Sequence, residues 1–229
     1  ATFMSDKPQP ALSSTVEDYL KGLYLEQQRT GSTVSTGRLA ELMGVSPGTV
    51  TAMLKTLASA ELVDYAPRGG TRLSSDGERS AVQVLRRHRL VELFLVRVLG
   101  LDWSEVHVEA ERLEHAISER VLDRMDELLQ FPATDPHGDP IPNASGEYAP
   151  RSLVNLAHAG LTGRVRIGQV LDQDPQFLQF LDHHQLFPGQ ELELLARDPF
   201  ADALRLRSTS GELTLGLGAA AKLLVEPRP

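Results

Sequence analysis

The sequence predicts a mainly α-helical protein with a small β domain at its carboxy-terminal end. Three observations support this fold class. Apolar residues recur at helical spacing through most of residues 15–130. A segment rich in Pro, Gly and Asp follows at 131–150 and predicts a loop or linker. From about Leu161 onward apolar and polar residues alternate, as they do in half-buried strands.

These changes of pattern divide the 229 residues into three domains, at 1–75, 76–150 and 151–229. The net charge of −8 is concentrated in the middle domain, which carries 15 acidic and 8 basic side chains, whereas the first domain carries seven of each. Phosphate contacts need Lys and Arg, so a neutral first domain is compatible with DNA and an acidic middle domain indicates a different task.

Composition also limits the compartment and the kind of site. The chain has no cysteine, which excludes disulfides and thiolate metal ligands and agrees with a cytoplasmic location. No apolar run approaches the roughly 20 residues that cross a bilayer, so no membrane partner is expected.

The first domain has the pattern of a helix-turn-helix followed by a hairpin. One helix is predicted from about 15 to 29, and two short helices follow on either side of a turn at Gly44. LVDYAPRGGTRL then predicts two strands with a tip at 68–71. These parts make a winged helix, which indicates DNA binding. Docking to another protein is the alternative use of such a module.

The predicted winged helix offers seven candidate DNA contacts. Small residues on its second helix suit phosphate hydrogen bonds and contacts with thymine methyl groups, and basic residues suit phosphates. The seven are Ser46, Thr49, Thr51, Ala52, Lys55, Arg68 and Arg72.

A winged helix reads one half-site, so a palindromic double-stranded operator requires a homodimer. A single helix predicted from 105 to 130 carries an apolar stripe that we assign to the dimer interface. Packing of this stripe inside its own domain is the alternative. Its residues are Val106, Leu113, Ile117, Val121 and Leu128.

The middle domain concentrates metal-ligand residue types at helical spacing. Within HVEAERLEH, four of them fall in a sector of about 100° on one helix face. They are His107, Glu111, Glu114 and His115. The preceding helix supplies His88 and Glu92 as an i, i+4 pair. Imidazole and carboxylate without thiolate suit Mn²⁺, Fe²⁺, Co²⁺, Ni²⁺ or Zn²⁺, and a solvated acidic face is the alternative.

No catalytic motif accompanies these candidate ligands. The sequence lacks HExxH, a pair of Glu-x-x-His motifs, a Gly-rich phosphate loop and a G-x-S-x-G elbow. We therefore expect that the protein is not an enzyme. The competing hypothesis is a metal-buffering protein or metalloenzyme whose winged helix contacts only proteins.

The order of these parts resembles the diphtheria toxin repressor family of metal-dependent transcriptional regulators. The resemblance covers almost all of residues 13–229 and is most specific in RRHRLVELFLVRVLGLDWSEVHVEAERLEHAISE (86–119) and DPHGDPIP (135–142). It implies a repressor of metal-uptake genes with a helical dimerisation domain and an SH3-like third domain.

The resemblance also implies two metal sites. The primary site would use Asp18, Glu111, Glu114 and His115. The ancillary site would use His88, Glu92 and His107, with Gln173 and Gln176 as the nearest correspondents of ligands lent by the third domain. A cation in the primary site would reverse the repulsion among its carboxylates and hold the DNA-binding domain to the dimer core. DNA affinity would then rise by linkage.

The family likeness bears on the identity of the ion. Iron-responsive members have Met at the position of Asp18 and Cys at that of Glu111, whereas carboxylates stand there in this chain, as in the manganese-responsive branch. That branch has another carboxylate where this chain has Lys21, and its short members lack the β domain. We expect Mn²⁺ as the activating ion and Fe²⁺ as the alternative, with Zn²⁺, Co²⁺, Ni²⁺ or Cd²⁺ as substitutes in vitro.

Overall fold

The computed structural model describes residues 12–158, 160–198 and 200–228. The chain forms two compact units whose boundary falls between Leu85 and Arg86. No helix in the described ranges is long and apolar enough to cross a membrane.

The N-terminal unit contains the predicted winged helix. Its elements are α1 (Ser14–Thr30), α2 (Thr36–Met43), α3 (Pro47–Ser59), β1 (Val63–Ala66) and β2 (Gly70–Leu73). The hydroxyl groups of Ser13, Ser35 and Ser46 each accept a hydrogen bond from the first turn of a helix and so fix where it begins. The helices pack on a core that includes the fully buried residues Leu20, Leu23, Leu39, Val50 and Leu54.

Two polar contacts fasten the other parts of this unit to α1. The carboxylate of Glu26 pairs with Arg29 at 2.6 Å and with Arg38 of α2 at 3.0 Å. The side-chain carbonyl of Gln27 accepts a hydrogen bond from the backbone of Leu73 in β2 at 3.1 Å. The hairpin is antiparallel, with Val63 opposite Leu73.

The helical part of the chain continues with α4 (Ser75–Arg97), α5 (Val106–Leu113) and α6 (Glu119–Leu128), and the boundary between the units falls inside α4. The single helix predicted from 105 to 130 is wrong, because residues 114–118 interrupt it. The hydroxyl of Ser118 accepts a hydrogen bond from Val121 at 3.4 Å and starts α6 as a new helix. The two helices pack on α4 through apolar residues that include Leu90, Val91 and Leu122.

The C-terminal unit also holds the predicted β domain. Its strands are β3 (Val154–Asn155), β4 (Gly163–Val170), β5 (Glu191–Asp198), β6 (Ala203–Ser208), β7 (Gly211–Gly216) and β8 (Leu223–Pro227). They form an antiparallel sheet in the order β3-β8-β4-β5-β6-β7. Helices α7 (Pro175–His183) and α8 (Leu217–Ala220) complete the domain. The fold class predicted from the sequence is confirmed, but β3, α8 and β8 were not anticipated.

The DPHGDPIP loop is held tightly against β4 of this unit. The backbone N–H of Val170 donates to the carbonyl of His137 at 2.8 Å. The guanidinium of Arg151 donates to the carbonyls of Gly138 and Gly168 at 2.5 and 2.7 Å. Gly138 has φ +84, and a Cβ there would lie 2.2 Å from the Gly168 carbonyl oxygen. Only glycine fits this close approach of loop and strand.

Candidate metal centre

Helix α4 presents His88 and Glu92 on one face, one helical turn apart, and α5 brings Glu111 and His107 to them. Nε2 of His88 lies 3.0 Å from Oε1 of Glu92. Nδ1 of His107 lies 3.2 Å from the same oxygen. The rings of His88 and His107 meet edge to face with centroids 4.9 Å apart. The predicted set of His88, Glu92 and His107 therefore comes together, with ligand atoms within 4.8 Å of one another.

The interruption after α5 gives Glu114 its position. Its side chain is fully buried, and Oε2 lies 2.5 Å from Nδ1 of His88. Oε1 of Glu111 lies 3.7 Å from the same nitrogen, so His88, Glu111 and Glu114 form a second possible ligand set. His115 follows with Nε2 3.4 Å from Oε1 of Glu114.

A third set was not singled out from the sequence. Glu92, Asp135 and His137 have ligand atoms within 4.8 Å of one another and are all buried. Asp135 and His137 come from the DPHGDPIP loop, which carries no periodic pattern that could reveal them. One residue, Pro136, separates them, and this short spacing is the only local signal. It does not identify Glu92 as the third ligand. Only the fold brings them to Glu92.

Glu92 and His88 join the three sets into one continuous network. Oε1 of Glu92 faces His88 and His107, whereas Oε2 faces Nδ1 of His137 at 3.7 Å. His88 likewise divides its two ring nitrogens between Glu92 and Glu114. One carboxylate and one imidazole therefore each belong to two ligand sets, so ions in neighbouring sets would compete for or share them.

Burial and charge shift the pKa values of this network in opposite directions. Burial alone would raise the pKa of Glu92, but the rings of His107, His137 and His88 hold it well below its usual value. Burial raises the pKa of Asp135 to about 8, and the charges of Asp139 and Glu92 add to that shift. A carboxyl group in this state holds a proton at neutral pH unless a cation takes its place.

The third set fits a metal ion because it holds an unsatisfied nitrogen. Nε2 of His137 lies 2.9 Å from the Trp103 carbonyl oxygen, to which it donates its proton, so Nδ1 carries the lone pair when the imidazole is neutral. Nδ1 is buried and has no hydrogen-bond partner in the described part of the chain. Buried polar atoms are normally satisfied. A divalent cation bound by Nδ1 and the two carboxylates would satisfy it, and imidazole with carboxylate is a suitable donor set.

The remaining predicted ligands are Asp18, Gln173 and Gln176. Asp18 is a half-buried residue of α1 in the N-terminal unit. The side-chain amide of Gln173 donates to Asp139 at 3.1 Å, which fastens the start of α7 to the DPHGDPIP loop. Gln176 is exposed on α7. The assignment of these three residues to a metal site stays a prediction.

The candidate DNA contacts lie at the start of and along α3 and in the β1–β2 hairpin, and three of the hydroxyl groups are already engaged in hydrogen bonds. The hydroxyl of Ser46 caps α3 and lies 2.9 Å from that of Thr49. Thr51 is half-buried, and its hydroxyl donates to the Pro47 carbonyl at 2.8 Å. The remaining candidates are exposed: Ala52, Lys55, Arg68 and Arg72.

The apolar stripe that we assigned to a dimer interface has a buried part and an exposed part. Val106 is fully buried in the core of its own unit, and Ile117 packs against that core, so these two residues are not available. Leu113, Val121 and Leu128 are 39%, 49% and 62% exposed. The assignment of Val106 to the dimer interface is wrong, because this residue packs against Val91 and Leu95 of α4 in the core of its own unit.

The chain thus contains a winged helix, a fold typical of DNA-binding proteins, and a network of carboxylates and imidazoles that could hold a divalent metal ion. The profile of the iron dependent repressor N-terminal DNA binding domain matches residues 11–71. The profile of the iron dependent repressor metal binding and dimerisation domain matches 74–143, and the FeoA domain matches 154–227. The chain belongs to the diphtheria toxin repressor family.

Individual relatives agree with this assignment. The diphtheria toxin repressor of Corynebacterium diphtheriae is 32% identical over 198 residues, which is 82% of this chain and 87% of the relative. The iron-dependent repressor IdeR of Mycobacterium leprae is 39% identical over 131 residues, which is 57% of this chain and 56% of that relative. The alignment thus spans only about half the length of IdeR. A solved manganese-dependent transcriptional repressor in complex with manganese has a TM-score of 0.80 at 39% identity, covering 92% of this chain and 98% of that one.

Proposed function

We propose that this chain is a metal-activated transcriptional repressor that binds palindromic DNA as a homodimer in the cytoplasm. The observation that carries the proposal is the buried ligand network in a chain that also holds a winged helix. Four carboxylates and three imidazoles contribute to that network: Glu92, Glu111, Glu114, Asp135, His88, His107 and His137. Three of these carboxylates, Glu92, Glu114 and Asp135, are buried, and burial of charged carboxylates destabilises the fold unless protons or cationic groups compensate their charge.

We propose Mn²⁺ as the activating ion and Fe²⁺ as the alternative. The support is the donor set, since the clustered candidate ligands are carboxylates and imidazoles and no candidate is a sulfur. Hard oxygen donors suit Mn²⁺, although intrinsic affinity rises toward the later metals. The relatives include proteins named for manganese and for iron, so titration with both ions is needed.

The family resemblance assigns Asp18 to the primary metal site. An aspartate of α1 that shares an ion with Glu114 and His115 would couple the winged helix to metal binding. By linkage, an ion that favours the DNA-competent arrangement raises DNA affinity by the factor by which DNA raises ion affinity. Asp18→Ala should therefore abolish activation by Mn²⁺ while the dimer persists.

The exposed apolar residues Leu113, Val121 and Leu128 support dimerisation through α5 and α6. Exposed apolar side chains that lie close together commonly mark a protein–protein interface. Replacing Leu128, the most exposed of the three, with Asp should convert the dimer to a monomer in light scattering. It should also weaken binding to a two-half-site operator, because each winged helix reads one half.

The central experiment measures DNA binding with and without metal. Duplexes would be selected from a random library in the presence of Mn²⁺, and their affinity then measured by fluorescence anisotropy with Mn²⁺, Fe²⁺ or a chelator. Glu114→Gln should lose the metal response. Glu109→Gln is the matched control, because Glu109 is a half-buried residue of α5 whose carboxylate pairs only with Arg112 among the described contacts.

Two results would count against the proposal. Selection that yields no duplex would favour the competing hypothesis of a metal-buffering protein. DNA binding that is equally tight with Mn²⁺ and with chelator would retain the DNA-binding function but remove metal control.

A further inference from the structure

The Glu92–Asp135–His137 ligand set is closed off from solvent. Glu92, Asp135 and His137 are 1%, 4% and 0% exposed, so an ion can reach them only if a neighbouring group moves. A cavity of about 560 Å³ lies beside the set within the C-terminal unit, and Asp135 forms part of its wall. A divalent ion with six waters occupies roughly 180 Å³ at about 30 Å³ per water. The cavity is therefore large enough to admit a hydrated ion.

The wall of this cavity carries both acidic and basic side chains. Asp102 and Asp182 line it and are exposed to solvent, and the half-buried Glu226 lines it as well. Arg97, Arg151 and Arg166 also line it. Because both signs of charge are present, the cavity does not form a cation site itself.

Trp103 lies between the cavity and the ring of His137. Its indole lines the cavity and stacks on the ring of His137, with centroids 5.6 Å apart and planes at 25°. Its carbonyl oxygen accepts the hydrogen bond from His137 that directs Nδ1 toward Glu92. Trp103 therefore contacts His137 on the side that faces the cavity.

The indole is not fastened by a hydrogen bond. Its Nε1 is buried and has no acceptor among the residues that the structure describes. A buried N–H without an acceptor destabilises the closed position, and rotation into the water of the cavity would satisfy it. The ring can therefore swing away against packing forces alone, without the loss of any hydrogen bond from the indole.

We propose that Trp103 is the gate of the Glu92–Asp135–His137 set and that the cavity is the path by which a metal ion reaches it. This inference rests on the proposed function, since it presupposes that an ion binds this set. The competing path approaches Glu92 from the side of His107, whose side chain is 50% exposed.

A gate changes rates without changing the equilibrium, and this gives the test. Trp103→Ala should raise both the association and the dissociation rate of Mn²⁺ by about tenfold, the effect of a modest barrier, and leave affinity nearly unchanged. Association would be followed by stopped-flow mixing with Mn²⁺ and a fluorescent chelator, and dissociation by transfer to excess chelator. Trp103→Phe keeps an aromatic ring over His137 and should behave like the parent protein. Phe187→Ala, which removes another aromatic ring from the cavity wall, is the matched control and should leave both rates unchanged.

Three other results would contradict the proposed gate, each for a different reason. Unchanged rates in Trp103→Ala, with the number of bound ions intact, would overturn the gate and favour the path past His107. A faster dissociation alone, with weaker affinity, would make Trp103 a positioning residue instead of a gate. If His137→Ala removes no bound ion, this ligand set is wrong and the gate is wrong with it. Trp103 is the only tryptophan of the chain, so quenching of its fluorescence by Mn²⁺ that occurs in the parent protein and is lost in His137→Ala would report binding at this set.

Discussion

Replacement of Gly138 by alanine tests whether the seating of the DPHGDPIP loop positions the third ligand set. Gly138 has φ +84, and an alanine forced into the left-handed region destabilises the fold by roughly 1–2 kcal/mol. The new Cβ would also lie 2.2 Å from the Gly168 carbonyl oxygen and 2.8 Å from Cα of Gln169, where ordinary contact begins at 3.4 Å. Overpacking of this kind adds about 1–3 kcal/mol. The total loss of stability should be about 2–5 kcal/mol.

The functional effect follows from the same displacement. Relief of the clash requires loop and strand to separate by roughly 1 Å, whereas ligand geometry tolerates about 0.5 Å. His137, the residue before Gly138, should move out of reach of Glu92, and the chain should bind one Mn²⁺ fewer. Isothermal titration gives the number of ions, and thermal unfolding followed by Trp103 fluorescence gives the stability.

Gly163→Ala is the matched control for this prediction. Gly163 has φ +77, and a methyl group added at its Cα would have no neighbouring atom within 4 Å, so this variant carries the backbone strain without the clash. It should lose only roughly 1–2 kcal/mol and bind Mn²⁺ like the parent protein. If Gly138→Ala keeps the full number of ions at unchanged affinity, the contact of the loop with β4 does not position His137.

Three further predictions concern other parts of the molecule. Glu92→Gln should remove more bound Mn²⁺ than His137→Ala, measured by elemental analysis after dialysis, because Glu92 belongs to two ligand sets. Hydrogen bonds from Arg29 and Arg38 lower the pKa of Glu26 to about 2, below the ordinary 4.5. Its stabilising effect is complete above about pH 4.5 and is lost as pH falls toward 2, so hydrogen exchange of α1 should accelerate over this range more in the parent than in Glu26→Gln. Lys55→Ala should weaken DNA binding about equally for all sequences and reduce the slope of log affinity against log salt by about 1; an unchanged slope would remove Lys55 from the phosphate contacts.

The local sequence pattern predicted a structural feature correctly where the residues that determine that feature lie close together along the chain. The hydroxyl groups of Ser35 and Ser46 and the left-handed turn at Gly44 act within a few residues, so the helix-turn-helix was predicted correctly. The pairing of His88 with Glu92 depends on one helical turn and was also predicted. The interruption at 114–118 was missed because the apolar periodicity continues through it, although the capping hydroxyl of Ser118 is a signal that could have been used.

The sequence by itself determined the fold class, the winged helix and the imidazole and carboxylate character of the candidate metal centre, because side-chain chemistry and helical periodicity are local properties. Tertiary structure alone decided that Asp135 and His137 join Glu92, more than forty residues away along the chain. It also decided that Val106 is buried and that Trp103 covers His137. These outcomes depend on how the loop packs on β4 and on how α5 packs on α4, and no spacing along the chain encodes a distance between residues brought together by folding.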